Sequence, residues 1–352
     1  MIEHRSLGPS TFVSGVSALE RLEPALTSAT SVLVVTTTSV ATNPRVFDRV
    51  RAALRTKPTR VVSDIRAHVP VEALDALVAT PFDAVVSVGG GSPIDAAKLA
   101  VVMAQKRITS ASVGTFRPQD PFEPLLHVAV PTTLSGAELS PTAGFTQAHR
   151  KTGIFHSKLS PQWVLADATA AMETPVSLWL STGIRAIDHA VEGLLAQGEH
   201  PLSDAAAREG LPRLLQALEK TARDGVDVEA RHQAAVAAFL CYQLPLESQT
   251  GPSHTLGKRL GASFGIPHGM TSCLVLPAVL DVLPRDEKWK ALQALLGGAP
   301  GEVLRAFVAK LGLQRRLTDF GVGAQERAAV ASETVHPSLS REQVEAVLAS
   351  IA

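Results

Sequence analysis

The chain has 352 residues, 45% of them hydrophobic, enough for a sizeable core and too apolar for a disordered chain. Lys and Arg number 33, Asp and Glu also 33, and aromatic residues make up 4%, a balance that argues against nucleic-acid, membrane-surface and base-stacking roles. No apolar run reaches the roughly 20 residues of a membrane span.

The N-terminal MIEHRSLGPSTFVSG lacks the apolar stretch of a secretory signal. Cys241 and Cys273 are far apart and form no C-x-x-C pair, so a reduced cytoplasmic setting is expected. SVLVVTTT (31–38) is a strand by its Val and Thr content, and PRVFDRVRAALRT (44–56) an amphipathic helix with Pro at its start. TRVVSDI (59–65) and VEALDALVAT (71–80) repeat the strand–helix pair, and DAVVSVGGGS (83–92) with PIDAAKLAVVMAQ (93–105) gives a third. HVAVPTT (127–133) is a fourth strand; a hairpin over 144–158 and a short strand at WVLAD (163–167) follow. Such alternation predicts a parallel sheet with helices on both faces. After about residue 170 only helical periodicity remains, in stretches beginning at 175, 201, 227, 253, 269, 286, 301, 324 and 341. The expected organisation is an α/β domain over 1–160 and an all-helical domain over 161–352.

GGGSPIDAAK (89–98) falls where a strand ends and a helix begins. Glycines admit close approach of a ligand to the backbone, and a helix N-terminus offers free N–H groups to a pyrophosphate. The spacing is neither G-x-G-x-x-G nor a Walker loop, and a plain tight turn is the competing reading. PTTLSGAELSPTAG (131–144) offers Thr132, Thr133, Ser135 and Gly136 to a polar planar ligand, with an ordinary Ser/Thr turn as the alternative. In GIRAIDHAVE (183–192), Arg185 and His189 share one helical face, and His189 has the look of a metal ligand with His254 and His268 downstream. Taken singly, each has a plain reading: a core histidine, a surface ion pair, a helix cap.

Four motifs in this order, GGGSPIDAAK, PTTLSGAE, GIRAIDHAVE and HTLGKRLGASFGIPHG (254–269), resemble the iron-containing alcohol dehydrogenase family, and their variants resemble its maleylacetate reductase branch. The resemblance implies a dehydroquinate synthase-like two-domain architecture with the active site between the domains. It implies that Gly89, Gly90, Gly91 and Ser92 cradle a pyrophosphate, with Asp95 and Lys98 on the helix that follows. Thr132, Thr133 and Leu134 would line the nicotinamide, approached also by Lys151 and Leu178. The metal ligands of the family are one Asp and three His; His189, His254 and His268 match, but the Asp position is Arg185, and a further histidine position is Lys258.

A unit charge about 5 Å from a divalent ion repels it by roughly 6–7 kcal/mol at an effective dielectric of 20. Asp188 points about 100° away from His189 on a helix and is set aside as a substitute. No metal is therefore expected. Arg185 and Lys258 would hold the carboxylates of a small keto-dicarboxylate. The reaction that the resemblance implies is reduction of the carbon–carbon double bond of maleylacetate to 3-oxoadipate, in the breakdown of aromatic compounds such as resorcinol or chlorophenols. His254 or His268 would stabilise the enolate oxygen, and His254 would supply the proton. At the position where NAD-preferring relatives carry an Asp, this chain has Thr37, so NADH is expected with NADPH tolerated. The resemblance also implies a homodimer, with the N-terminal segment as a contact. The competing readings are a metal-dependent alcohol or polyol dehydrogenase, a sugar-phosphate lyase of the dehydroquinate-synthase type, and a non-catalytic NAD-binding protein.

Overall fold

The computed structural model describes residues 8–147, 150–243 and 251–352. Contacts divide it into two compact units, one running to Thr174 and including Val226–Ala235, the other built from Pro175–Gly225 and Val236–Ala352.

The first unit holds eight strands: β1 (Thr11–Gly15), β2 (Val32–Val35), β3 (Thr59–Val62), β4 (Ala84–Gly89), β5 (Leu126–Pro131), β6 (Thr142–Gln147), β7 (Arg150–Phe155) and β8 (Trp163–Asp167). Six form one parallel sheet in the order β1-β8-β5-β4-β2-β3, and β6 and β7 pair as an antiparallel hairpin. VLVV of β2 and AVVSVG of β4 are buried at every position, as expected of central strands covered on both faces. Val34, Val86 and Val130 meet Leu22, Leu26 and Phe47 on one face, while Leu33, Val35 and Val85 meet Leu99 and Val102 on the other.

β1 lies outside the expected strands. It pairs with β8 in the register Thr11↔Trp163, and its five residues are all partly buried, so it shows no apolar–polar alternation. Residues 1–7 of the N-terminal segment expected to form a dimer contact lie outside the described residues. The helix expected over 71–80 is instead a 3₁₀ turn, Val71–Ala73, and one α-turn, Asp75–Val78. Val71, Leu74 and Leu77 are buried, so two short turns satisfy the same apolar spacing, while Asp75 accepts hydrogen bonds from Ser110 N and Oγ.

After β2 the chain passes to β3 on one side and then to β4 on the other. This is the reversal at whose carboxyl edge open α/β sheets bind ligands. Thr36 Oγ1 donates to Val88 O at 2.8 Å and Thr132 N to Gly89 O at 2.9 Å, so the ends of β2, β4 and β5 are held together there.

The second unit is helical, with Val176–Leu195, Pro201–Arg223, Pro252–Phe264 and His268–Val282 as its longer members. Leu256, Leu260, Val275, Val279, Val344 and Val347 are among the residues of one buried cluster. Gly269 permits close packing at the start of the His268–Val282 helix, since a Cβ there would lie 2.6 Å from Ser181 O. No described helix is long and apolar enough to cross a membrane.

Candidate functional site

In the α/β unit, Gly89 ends β4 with φ +137°, a conformation that favours glycine, and Gly90 caps the helix Gly91–Lys106. A Cβ on Gly90 would come 3.1 Å from Thr133 Cγ2, and one on Gly91 would come 3.4 Å from Ser135 Oγ. The glycine turn and the Thr132–Ser135 turn are thus packed against each other. Thr132, Thr133 and Leu134 are buried, and Thr174 Oγ1 donates to Thr132 O at 2.6 Å. Thr37 follows β2 and caps the short helix Thr38–Ala41. Asp95 Oδ2 accepts from Gly144 N at 3.1 Å, and Lys98 Nζ donates to three main-chain carbonyls, Ala137 and Ser140 in the loop before β6 and Thr142 at its start. Burial raises the pKa of Asp95, with Lys98 and Lys151 acting against it. Lys151 stands on β7.

In the helical unit, Leu178, Arg185, Asp188, His189 and Glu192 all lie on the Val176–Leu195 helix, with Leu178 exposed near its start. Glu192 reaches the N-terminus of the Pro252–Phe264 helix, where Ser253 N donates to Oε1 at 2.6 Å and His254 N at 3.4 Å. Free N–H groups and the helix dipole favour a carboxylate there. Gly251 leaves the space for it, since a Cβ would fall 2.2 Å from the Glu192 carboxyl carbon. Glu192 Oε2 meets His254 Nδ1 at 2.5 Å, and His254 Nε2 meets His189 Nε2 at 3.0 Å. Tyr242 stacks on His189 with ring centroids 4.2 Å apart.

Asp188 is fully buried. Its Oδ2 accepts from Ser253 Oγ at 3.0 Å and Ser272 Oγ at 2.6 Å, while Oδ1 has no hydrogen-bond partner among the described residues and lies 3.5 Å from His254 Nδ1. Among the described residues, Asp188, Glu192 and His254 offer one ligand atom each within 4.8 Å of one another. Burial pushes Asp188 up and Glu192 up to about 7, because neither carboxylate has the solvation a charge requires. Burial lowers His254 to about 3 and His189 well below its usual value. Neutral imidazole beside desolvated carboxylates is a donor set suited to a divalent metal, which would relieve the carboxylates' cost of ionising.

The structure brings His189 and His254 together, as the sequence motifs suggest. It adds Glu192 and Asp188, one helical turn apart, as the carboxylates beside His254. His268 begins the His268–Val282 helix, and its ring packs near Gly261. Arg185 Nη1 is buried, with no hydrogen-bond partner among the described residues. Lys258 is one turn beyond His254 on the same helix; desolvation and then Arg185 lower its pKa.

Residues 9–168 match the family described as iron-containing alcohol dehydrogenase, and residues 179–350 match the family described as the C-terminal part of Fe-containing alcohol dehydrogenases. The chain is 31% identical over 277 residues to the maleylacetate reductase of Rhizobium sp. strain MTP-10005, covering 77% of this chain and 74% of that one. The crystal structure of maleylacetate reductase from Agrobacterium tumefaciens superposes with a TM-score of 0.84 at 26% identity, covering 100% of this chain and 98% of the other. An iron-containing alcohol dehydrogenase of Thermotoga maritima superposes with a TM-score of 0.86 at 25% identity, over 100% and 99% of the two chains.

The expectation of a site without metal is therefore corrected. The matching family is iron-containing, and Asp188, Glu192 and His254 supply a set of donors in spite of Arg185. The angle of Asp188 to His189 does not remove it from the site, because the imidazole it faces is His254. The chain belongs to the iron-containing alcohol dehydrogenase family and is an oxidoreductase.

Proposed function

We propose that this oxidoreductase uses NADH, with NADPH tolerated, to reduce the carbon–carbon double bond of maleylacetate, giving 3-oxoadipate in the breakdown of aromatic compounds. The observation that carries this reading is Arg185 Nη1, a buried cationic donor with no hydrogen-bond partner among the described residues. Such a group calls for an anion, and a guanidinium binds carboxylate in a fork. A simple alcohol offers it nothing comparable. The likeness to proteins named maleylacetate reductase supports the same substrate class.

In this reading Gly89, Gly90, Gly91 and Ser92 receive the pyrophosphate, and Thr132, Thr133 and Leu134 flank the nicotinamide ring. Arg185 and Lys258 hold the two carboxylates and so orient the alkene. Hydride passes to the alkene carbon β to the ketone, and electron density moves onto the ketone oxygen. Asp188, Glu192 and His254 would hold a divalent ion, which would supply Lewis-acid chemistry at the site. His254 turns Nδ1 to the two carboxylates, as a donor atom for that ion, and His189, in contact with Tyr242, holds the ring at Nε2. With Nδ1 given to the carboxylate cluster and Nε2 to His189, His254 is a poor choice for the proton donor, and His268, the remaining imidazole of the motif frame, takes that role. The working assembly in this reading is a homodimer.

The test is NADH oxidation with maleylacetate by protein reconstituted with Fe²⁺ or Zn²⁺, with 3-oxoadipate identified as product. No turnover of maleylacetate, together with NAD⁺ reduction by a simple alcohol or diol, would establish the second reading instead. That reading, a metal-dependent alcohol or polyol dehydrogenase, is favoured by the carboxylate–imidazole cluster itself.

A further inference from the structure

Lys98 is fully buried in the α/β unit, and its ammonium meets three main-chain carbonyls: Ala137 O at 2.5 Å, Ser140 O at 2.6 Å and Thr142 O at 2.7 Å. A lysine has three donors and no acceptor, so these contacts use all of them and leave none for a phosphate. Two of these carbonyls belong to the segment that links β5 to β6, and the third, Thr142 O, to the first residue of β6. One turn earlier on the same helix, Asp95 accepts from Gly144 N, two residues farther into β6. Two carboxylates accompany the ammonium. Asp95 Oδ1 is 3.9 Å away, and Glu138, buried with no hydrogen-bond partner at Oε2 among the described residues, bears on it electrostatically. Burial lowers the Lys98 pKa to about 8, and the two carboxylates oppose that shift.

Carbonyls converging on a point, with carboxylates beside them, are the surroundings in which proteins hold a hard cation. Here the chain supplies the cation from its own helix. The segment closed in this way begins immediately after the Thr132–Ser135 turn. Thr133 Oγ1 donates to Ser135 Oγ at 3.2 Å, and Gly90 and Gly91 pack on the same two side chains. Fixing residues 137–144 therefore fixes the turn against which the glycine loop rests.

Resting on the nucleotide reading above, we infer that Lys98 is a positioning residue: an internal cation that closes the 137–144 segment onto the Gly91–Lys106 helix and holds the glycine and threonine turns in shape for the nucleotide, without contacting it. Its effect on binding passes through the main-chain carbonyls it gathers. A small free amine that refills the cage should therefore replace it.

The experiment titrates NADH by fluorescence into wild type, Lys98→Ala, and Lys98→Ala with methylammonium, and follows hydrogen–deuterium exchange of residues 137–144 in each. Lys98→Ala should weaken NADH binding at least tenfold and speed exchange in that segment at least tenfold. Methylammonium should bring both back to within about threefold of wild type. A second variant, Lys98→Met with Glu138→Gln, removes opposite charges together and guards against simple failure to fold; it should show the same two defects without amine rescue, because Met fills the cage. Unchanged exchange in both variants overturns the inference. So does a binding defect with normal exchange that methylammonium leaves in place, as expected of a direct phosphate ligand. If wild type takes no NADH, the nucleotide reading fails, and the exchange data alone decide the role of Lys98.

Discussion

Glu192 holds His254 at two places: its Oε1 accepts from the backbone N–H groups of Ser253 and His254, and its Oε2 meets the His254 ring at Nδ1, 2.5 Å away. One carboxylate thus fixes both the helix end and the ring that it carries. Asp188, one turn earlier, faces the same imidazole. The arrangement gives a metal two acidic donors that do not depend on the position occupied by Arg185.

Glu192→Gln tests this. Glutamine still accepts from Ser253 N, so the helix cap is retained, but the negative donor is lost. Retention of Fe²⁺ or Zn²⁺, measured by calorimetric titration and metal analysis, should fall by on the order of 10–100-fold or more. Exhaustive chelation of the wild type should abolish turnover, and added Fe²⁺ or Zn²⁺ should restore it. Equal metal retention by the variant would leave Glu192 with a capping role alone.

Much of the α/β half is legible in the sequence because burial on both faces demands β-branched runs, and VLVV and AVVSVG are such runs. TFVSG of β1 gives no comparable signal: it is an edge strand, and every residue is partly buried. At the site, the motif frame identifies His189 and His254, which do touch. It misses Glu192 because the family frame has its carboxylate one turn before His189, whereas the partner stands nearly one turn after it. The role of Asp188 is lost for a related reason. Its angle to His189 is stated correctly, but the ring it meets comes from another helix, and helical geometry says nothing about that. Lys98 shows the same limit. GGGSPIDAAK places it on the helix after the glycine loop, and only the fold reveals three carbonyls around it.

Arg185→Ala should separate the substrate classes. A hydrogen bond to a charged group contributes about 1.5–3 kcal/mol, or roughly 10–150-fold. The kcat/KM for maleylacetate should fall by that factor, mainly through KM, and turnover of an uncharged carbonyl compound should be unchanged or improved. Equal losses for charged and uncharged substrates would show that Arg185 supports the fold of the site and does not bind a carboxylate.

His127 predicts a pH dependence of stability. It is buried in β5 with Nε2 2.8 Å from Ser87 Oγ, and burial first, then the Lys98 charge, lowers its pKa from 6.5 to about 3. The unfolded chain therefore binds a proton below pH 6.5 that the folded chain refuses. The stability tied to neutral His127 is fully present above pH 6.5 and is lost progressively as pH falls towards 3. Between pH 6.5 and 5 the loss is roughly 2 kcal/mol, at about 1.4 kcal/mol per unit. Urea unfolding of wild type and His127→Gln at the two values measures it. The variant should lose about that much less on acidification; an identical slope would mean that His127 takes up its proton in the folded state.

Thr37 offers a test of nucleotide choice. It follows β2 at the sheet reversal and caps the helix Thr38–Ala41, with its hydroxyl 3.4 Å from Val40 N. Aspartate is an equally good N-cap, so Thr37→Asp should preserve the local fold. It places a negative charge where a ribose 2′-phosphate would lie and an acceptor where a 2′-hydroxyl would lie. Wild type should use NADH and NADPH with kcat/KM values within about tenfold of each other, and Thr37→Asp should lower the NADPH value at least tenfold further while leaving NADH within about threefold. A charge near a phosphate needs only about 1.4 kcal/mol of repulsion for that tenfold change, well within reach of a contact at the protein surface. If the NADPH value does not move, the ribose lies elsewhere, and Thr37 is a helix cap and nothing more.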